Sequence, residues 1–380
     1  MVSLLLRRPD GTRMQIRTFL STNFVTGFLE MLKSPLNMVL AALIGSYCLF
    51  VWLLGRELEM PTRISFFSYE LLLFISSLLF LGGAISGRIL YIMLFIRPRR
   101  LFHAIGADFK SLLCWRRIWN ALPMIIMFPI FFSAFTSFKT LIPDLMPFSH
   151  DVLFAKIDRT LHFGVDPWRL LQPFVGYFQI TFVIAVIYKF WFLVKFMGLY
   201  WQAFSTSRPA LRAQFFLAYI LSWLINGSLF AVLLSSAGPC FYGLVTGEAD
   251  LYAPLFEYLR QANEVHALGS LDSQGYLWDV HIGKNTEFLS GISAMPSMHV
   301  SVAFLLLLTG WHYGAFARVF FSLFFVATFI GSIHLGWHYA VDGYFAILSN
   351  LLLWILSGWL VRQRFPALSG RQEIISPVSA

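Results

Sequence analysis

The 380-residue sequence predicts an all-α fold, a polytopic membrane helix bundle of about eight transmembrane helices. Three observations carry that expectation. Hydrophobic residues make up 58% of the chain and charged residues 12%, against roughly 45–50% and 25% in soluble proteins. Apolar runs able to cross a hydrocarbon core, about 20 residues each, recur eight times. Lys and Arg concentrate on alternate connections, as they do on the cytoplasmic loops of membrane proteins. A water-soluble enzyme is thereby excluded, and the formal charge of +9 does not call for a nucleic-acid partner. Cys48, Cys114 and Cys240 form no CxxC or Cys/His cluster, so neither a disulfide framework nor a zinc site is expected.

In chain order, residues 1–35 read as a cytoplasmic N-terminal arm. Its Arg7-Arg8 pair is followed by polar residues, and the first apolar run begins only near Leu36 without a small-residue cleavage pattern. Neither a twin-arginine nor a cleavable signal is read there. Spans over 36–54 and 68–95, with a basic loop, fill a region 36–117. A core over 118–361 follows, with spans at 120–142, 177–201, 213–236, 297–313, 316–334 and 339–361. The sixth and seventh spans are short and joined by a tight turn around Tyr313-Gly314. Residues 362–380 form a tail. The side holding the arm, 96–118, 202–212, Arg318 and the tail carries 17 Lys and Arg, and the opposite side 7. That imbalance puts both termini in the cytoplasm. The setting expected is a bacterial cytoplasmic membrane, with the outer loops facing the periplasm or exterior.

Two outer segments are unusual. In 150–172, Leu153, Ile157 and Leu161 recur four apart with Lys156, Asp158 and Arg159 opposite, the pattern of a helix lying in the membrane interface. The connection 237–296 is far longer than ordinary loops. With Tyr252, Phe256, Tyr258, Tyr276 and Trp278 it reads as a folded lid at headgroup level.

Ionisable groups at a membrane are costly, so their positions point to chemistry. Pro296-Ser297-Met298-His299 precedes an apolar run. Proline suits a first helical turn, and the free N–H groups of Ser297, Met298 and His299 would make an anion site strengthened by the helix dipole. Ser297 adds a hydroxyl and His299 a proton; phosphate is the natural guest. The second cluster, His338-Tyr339-Ala340-Val341-Asp342, puts His338 and Asp342 four apart on one helical face. A carboxylate on one ring nitrogen leaves the other free as a nucleophile. The topology brings both clusters to one membrane face, so one histidine can attack phosphorus while the other protonates the departing oxygen.

The elements PSMH (296–299) and HYAVD (338–342) resemble the second and third signature motifs of the type 2 phosphatidic acid phosphatase superfamily. The resemblance implies a six-helix core preceded by two extra spans. It implies His338 as phosphohistidine nucleophile, Asp342 as its orienter, His299 as general acid and Ser297 as a phosphate ligand, with no cofactor. The first motif of that family, a Lys, six residues and Arg-Pro, is absent: at the only nearby candidate, Arg208-Pro209, the Lys position holds Trp201. The Ser-Arg pair of the third motif falls on Gly331-Ser332. The segment Gly238-Pro239-Cys240-Phe241-Tyr242 and the HYAVD ending are similar to the inositol phosphorylceramide synthase-type, inositolphosphotransferase-like branch, whose members transfer phosphorylated headgroups between lipids. Gly238 and Pro239 are therefore candidates for backbone approach to a phosphate, and Lys139 and Lys284 for the missing cations.

Other readings stand beside this one. His334, His338 and Asp342 recur every four residues and could line three metal ligands on a helix face, although Gly336 weakens that helix and His299 then has no role. Lys189 lies mid-span, while Lys195 and Arg88 lie nearer the cytoplasmic end and can snorkel. Trp and Tyr near span ends read as interface belts. The function expected is transfer or hydrolysis of a phospholipid or lipid phosphate headgroup, with an alcohol, a lipid or water as acceptor. Alternatives are a lipid phosphate or pyrophosphate phosphatase, and a non-catalytic lipid-binding or transport protein. The absence of internal repeats weighs against a transporter.

Overall fold

Inside a bilayer every backbone N–H and C=O must be satisfied within the protein, and an uninterrupted apolar run meets that demand as a helix. The computed structural model describes residues 5–7, 13–112, 114–284 and 290–369. Arg8, the remainder of the arm (1–4 and 9–12), residues 285–289 of the expected lid and 370–380 of the tail lie outside the described residues. The chain opens with a short antiparallel pair, β1 (Leu5–Arg7) and β2 (Arg13–Gln15), and is otherwise helical. Helix α1 (Ile16–Leu32) leads to α2 (Pro35–Glu57), α3 (Glu70–Tyr91, prolonged by a π-turn to Ile96), α4 (Leu101–Leu112) and α5 (Trp115–Leu145). Two short helices, α6 (Asp151–Leu161) and α7 (Pro167–Val175), precede α8 (Phe178–Phe204) and α9 (Pro209–Leu224). A π-turn over Ile225–Phe230 carries α9 into α10 (Ala231–Leu233).

Three short helices follow: α11 (Tyr242–Thr246), α12 (Ala253–Val265) and α13 (Ser270–His281). The chain then returns through α14 (Met298–Gly310), α15 (Ala315–His334) and α16 (Ala340–Arg364) to α17 (Pro366–Ser369). Proline opens α2, α7 and α9, where its missing N–H costs nothing.

Seven of the described helices are long and apolar enough to cross a membrane: α2, α3 with its π-turn, α5, α8, α9–α10, α15 and α16. The expected sixth span is the exception. Its helix, α14, has 13 residues, about 20 Å at 1.5 Å per residue, short of a hydrocarbon core. It begins inside the bundle, after a non-helical segment running from Ser290 to Ser297.

Packing is aromatic. Phe128, Phe132 and Phe135 of α5 meet Phe216, Tyr219 and Trp223 of α9, with Phe132 and Phe135 edge-on to Trp223 at 5.2 and 4.7 Å. Such contacts add about 0.5–1.5 kcal/mol beyond area burial. A second cluster, including Phe154, Trp168, Tyr188, Tyr242, Tyr252, Leu255 and Tyr339, closes one end of the bundle. The lid segment is thus folded, through α11 to α13, onto that end.

Helix α6 forms within the segment expected to lie in the interface, with Lys156 exposed but Asp158 turned inward. Leu153 and Leu161 are exposed, whereas Asp151 and Asp158 are buried beside Phe154 and Ala155. An apolar stripe facing lipid costs nothing, and the two acids find N–H donors inside the protein.

Candidate active site

Three segments meet at the closed end: the turn 235–238 after α10, the non-helical stretch 290–297 before α14, and the link 335–339 between α15 and α16. Buried acids of α6 hold two of them. Asp151 accepts from Ser236 Oγ (2.9 Å), the N–H groups of Ala237 (3.0 Å) and Gly238 (2.8 Å), and Tyr339 Oη (2.9 Å). Asp158, two turns further, accepts from the N–H groups of Ala340 (2.7 Å) and Val341 (2.8 Å), the unpaired donors at the start of α16. Burial pushes the Asp158 carboxyl up to about 7, against the lowering effect of those two bonds. The stretch before α14 is tied in by the N–H of Ala294, which donates to Ser236 O at 2.9 Å.

The link carrying His338 is shaped by Gly336. With φ +71° it closes α15 in the left-handed conformation that favours glycine, and a Cβ there would strike the Phe256 ring at 2.5 Å. The N–H groups of Trp337 and His338 then both donate back to Ser332 O, at 3.1 and 3.0 Å. On the far side Asp342 Oδ2 accepts from the Tyr339 N–H at 3.1 Å and lies 3.3 Å from His338 Nδ1. Burial pushes the His338 imidazole down to about 3; the Ala294 backbone opposes this and the Lys139 ammonium adds to it.

His299 stands in the first turn of α14, whose N-cap is Ser297: Oγ of Ser297 accepts from the Val300 N–H at 3.4 Å. The His299 ring stacks on Tyr188 (4.6 Å between centroids) and leans on Trp191 (4.2 Å), whose Nε1 donates to His299 O at 2.9 Å. His299 and His338 face each other with centroids 6.0 Å apart and planes at 59°. Both can reach one tetrahedral group placed between them.

Both rings line a cavity of about 780 Å³, within the range of small-ligand sites. Its cations are Lys139, Lys189 and Lys195, with no arginine among the lining residues. Lys195 is buried, and its Nζ lies 4.4–5.3 Å from the rings of Phe132, Trp191, Phe192, Phe196 and Trp223. No carboxylate stands against it among the described residues, so only ring faces compensate its charge. Tyr188 Oη and Trp337 Nε1, on cavity-lining side chains, are buried without a hydrogen-bond partner among the described residues. Unpaired donors beside buried ammonium groups suit an anionic guest.

The geometry therefore brings together His299, His338, Asp342 and Lys139. Ser297 is buried behind them as a helix cap. Gly238, with φ +97°, packs where a Cβ would meet Trp337 O at 2.7 Å; its neighbours Ala237 and Phe241 line the cavity, whereas Gly238 and Pro239 do not. Lys284 lies apart, largely exposed and 3.9 Å from Asp279. His334 points elsewhere, its Nε2 2.9 Å from Thr181 Oγ1, and no group of three or more potential metal ligands occurs among the described residues.

Four features correct or extend the sequence reading. Lys195 does not snorkel, because α5 and α9 pack over it. Arg88 is paired with Asp108 at 2.8 Å. Tyr188 and Trp191, inside the expected span, and Trp337, near a span end, line the cavity. Asp151 and Asp158 act as braces, and an acid on a stripe otherwise read as solvated gave no signal of that.

A family model, that of the PAP2 superfamily, matches residues 153–356, more than half of the chain. The matched stretch runs from α6 into α16, containing both histidines, Asp342, Lys189 and Lys195, and leaves out α5 with Lys139. No curated protein and no solved structure matches the chain.

Proposed function

This chain belongs to the PAP2 superfamily, and on that premise we propose that it is a membrane enzyme that transfers a phosphorylated lipid headgroup through a phosphohistidine. His338, with Nδ1 turned to Asp342, presents its other ring nitrogen to phosphorus. A new N–P bond forms as the bond to the leaving oxygen breaks, and protonated His299 supplies the proton that neutralises that oxygen. His299, now neutral, takes the proton of the incoming alcohol, whose oxygen attacks the phosphohistidine and frees His338. Lys139 and Lys195 balance the phosphoryl charge, with Tyr188 Oη and Trp337 Nε1 as further donors. Water in place of the alcohol would make the protein a lipid phosphatase.

The observation that carries the reading is the facing of the two imidazoles at 6.0 Å, one of them braced by a carboxylate. The choice of a transferase rests on the cations. Lysine is a point charge and lacks the bidentate fork with which arginine grips a dianionic monoester, so this cavity suits a phosphodiester headgroup. That favours the inositolphosphotransferase-like kind of chemistry over release of inorganic phosphate.

The test is mass spectrometry of lipids and soluble products after incubating purified protein with a native lipid extract. Exchanged headgroups are expected, with little inorganic phosphate, and His338→Ala is expected to lose both turnover and covalent phosphate. Full activity in that variant would overturn the mechanism. Stoichiometric inorganic phosphate would replace the transferase by the phosphatase.

A further inference from the structure

Helix α3, outside the matched stretch, supplies one wall of the cavity. Tyr69 just before it and Leu72, Ile75, Ser76 and Leu79 along it line the same space as the two histidines. Their three- and four-residue spacing makes one stripe of the helix. The way α3 is held covers Tyr69 and Ser76 but leaves Leu72, Ile75 and Leu79 of that stripe exposed. At its start it is fixed to α5: the Tyr69 N–H donates to Ser133 Oγ at 3.1 Å, Thr136 Oγ1 donates to Tyr69 Oη at 3.3 Å, and the Tyr69 ring lies on Phe132. Further along it is fixed to the second half of α8: Ser76 Oγ and Tyr200 Oη are 2.9 Å apart, Tyr200 Oη donates to Leu73 O at 2.7 Å, and Phe80 meets Tyr200 and Phe204. The helix thus leans from α5 toward the far end of α8. A slit remains between its first turns and the middle of α8, where Trp191, Phe192 and Lys195 form the facing wall.

We propose that this slit is a binding slot for one hydrocarbon chain of the lipid substrate, entered from the bilayer between α3 and α8. The inference rests on the proposed function for the headgroup end and adds the site of the tail. Three features commit it to a lipid chain. The slit is continuous with the histidine site, it is walled by Leu, Ile and Phe on helices that stand in the membrane, and Lys195 sits at the junction, where an anionic headgroup gives way to its chain. Two turns of helix separate Leu72 from Leu79, roughly 10 Å, enough to order the first part of a chain. Because lipid tails are as apolar as the slot, the slot orients its guest more than it attracts it.

The experiment uses phosphatidylinositol, an anionic phosphodiester lipid, with a mid-chain diazirine, in phosphatidylcholine vesicles containing the full chain, with wild type and His338→Ala compared. After irradiation, tagged peptides are expected to carry the label at Leu72, Ile75 or Leu79 in preference to Phe74 and Ser77, which line a separate hollow on the opposite side of the helix. Unlabelled phosphatidylinositol is expected to remove that label, and Ile75→Trp, which fills the slit, to reduce it at least tenfold. Labelling should persist in His338→Ala, so failure of the chemistry and failure of the slot are read separately. Equal labelling of both faces of α3, no labelling of α3, or labelling indifferent to competitor would overturn the proposal.

Discussion

Among the described residues, only aromatic ring faces lower the cost of keeping Lys195 in the cavity. Taking an ammonium out of water costs several kcal/mol, and ring faces return only part of it. Stability alone would favour an apolar residue of the same length. Lys195→Met is therefore expected to raise the thermal midpoint while lowering kcat/KM at least tenfold, about 1.4 kcal/mol of transition-state stabilisation. Loss of both stability and activity would make Lys195 a structural residue. The pH profile tests the other end of the pair. A histidine lowered to about 3 stays neutral, and hence nucleophilic, far below the ordinary value near 6.5. Protonation would disable it only as pH falls through that depressed value. The acid limb of kcat/KM is accordingly expected below pH 5, and a limb near 6.5 would show an imidazole ionising as in water. The sequence singles out His338 and Asp342 because they lie four apart, and His299 because it stands at the start of an apolar run. Lys195 was not legible there, because its cage is assembled from α5, α8 and α9, and sequence position alone suggested an escape to the interface.

Helix α6 carries the corresponding lesson for elements. A four-residue apolar repeat locates a helix, but in a membrane protein it does not say which face turns inward, since lipid accepts Leu153 and Leu161 as readily as a core does. The buried face carries Asp151 and Asp158, and through them the helix fixes the 236–238 turn and the start of α16 on which His338 and Asp342 depend. The raised value of Asp158 makes this brace sensitive to pH. The folded chain holds the Asp158 proton up to about pH 7, the unfolded chain only to about 4. Between those values folding takes up a proton, so this contribution to stability is present at low pH and lost as pH rises through the window. Unfolding in detergent is expected to occur at lower temperature at pH 8 than at pH 5, by roughly 2–4 °C for each kcal/mol lost. Asp158→Asn, which keeps an acceptor oxygen, should flatten the difference. An unchanged pH dependence in that variant would assign the effect to another group. The shortness of α14 was equally hidden, because a non-helical Ser290–Ser297 segment and a helical first turn are both compatible with the same apolar and small residues.

At the scale of the whole molecule, the alternation of apolar runs and basic loops located the helices of the bundle to within a few residues, since the bilayer leaves the backbone few alternatives. It also implies a direction across the membrane. The site end carries the exposed Lys284, and the opposite end carries the half-buried, unpaired Cys114 between α4 and α5. With Cys48 and Cys240 replaced by alanine, these two positions report on opposite faces. If the Lys- and Arg-rich connections lie in the cytoplasm, a membrane-impermeant maleimide should label Lys284→Cys in intact cells and reach Cys114 only after permeabilisation. The outcome bears on chemistry as well as topology. A histidine pair opening to the non-cytoplasmic side can use only acceptors found in that leaflet or beyond it, and the donor lipid must already be there when the α3–α8 slit admits it. The reverse labelling pattern would turn the site toward the cytosol, and the acceptor would then have to come from cytosolic alcohols.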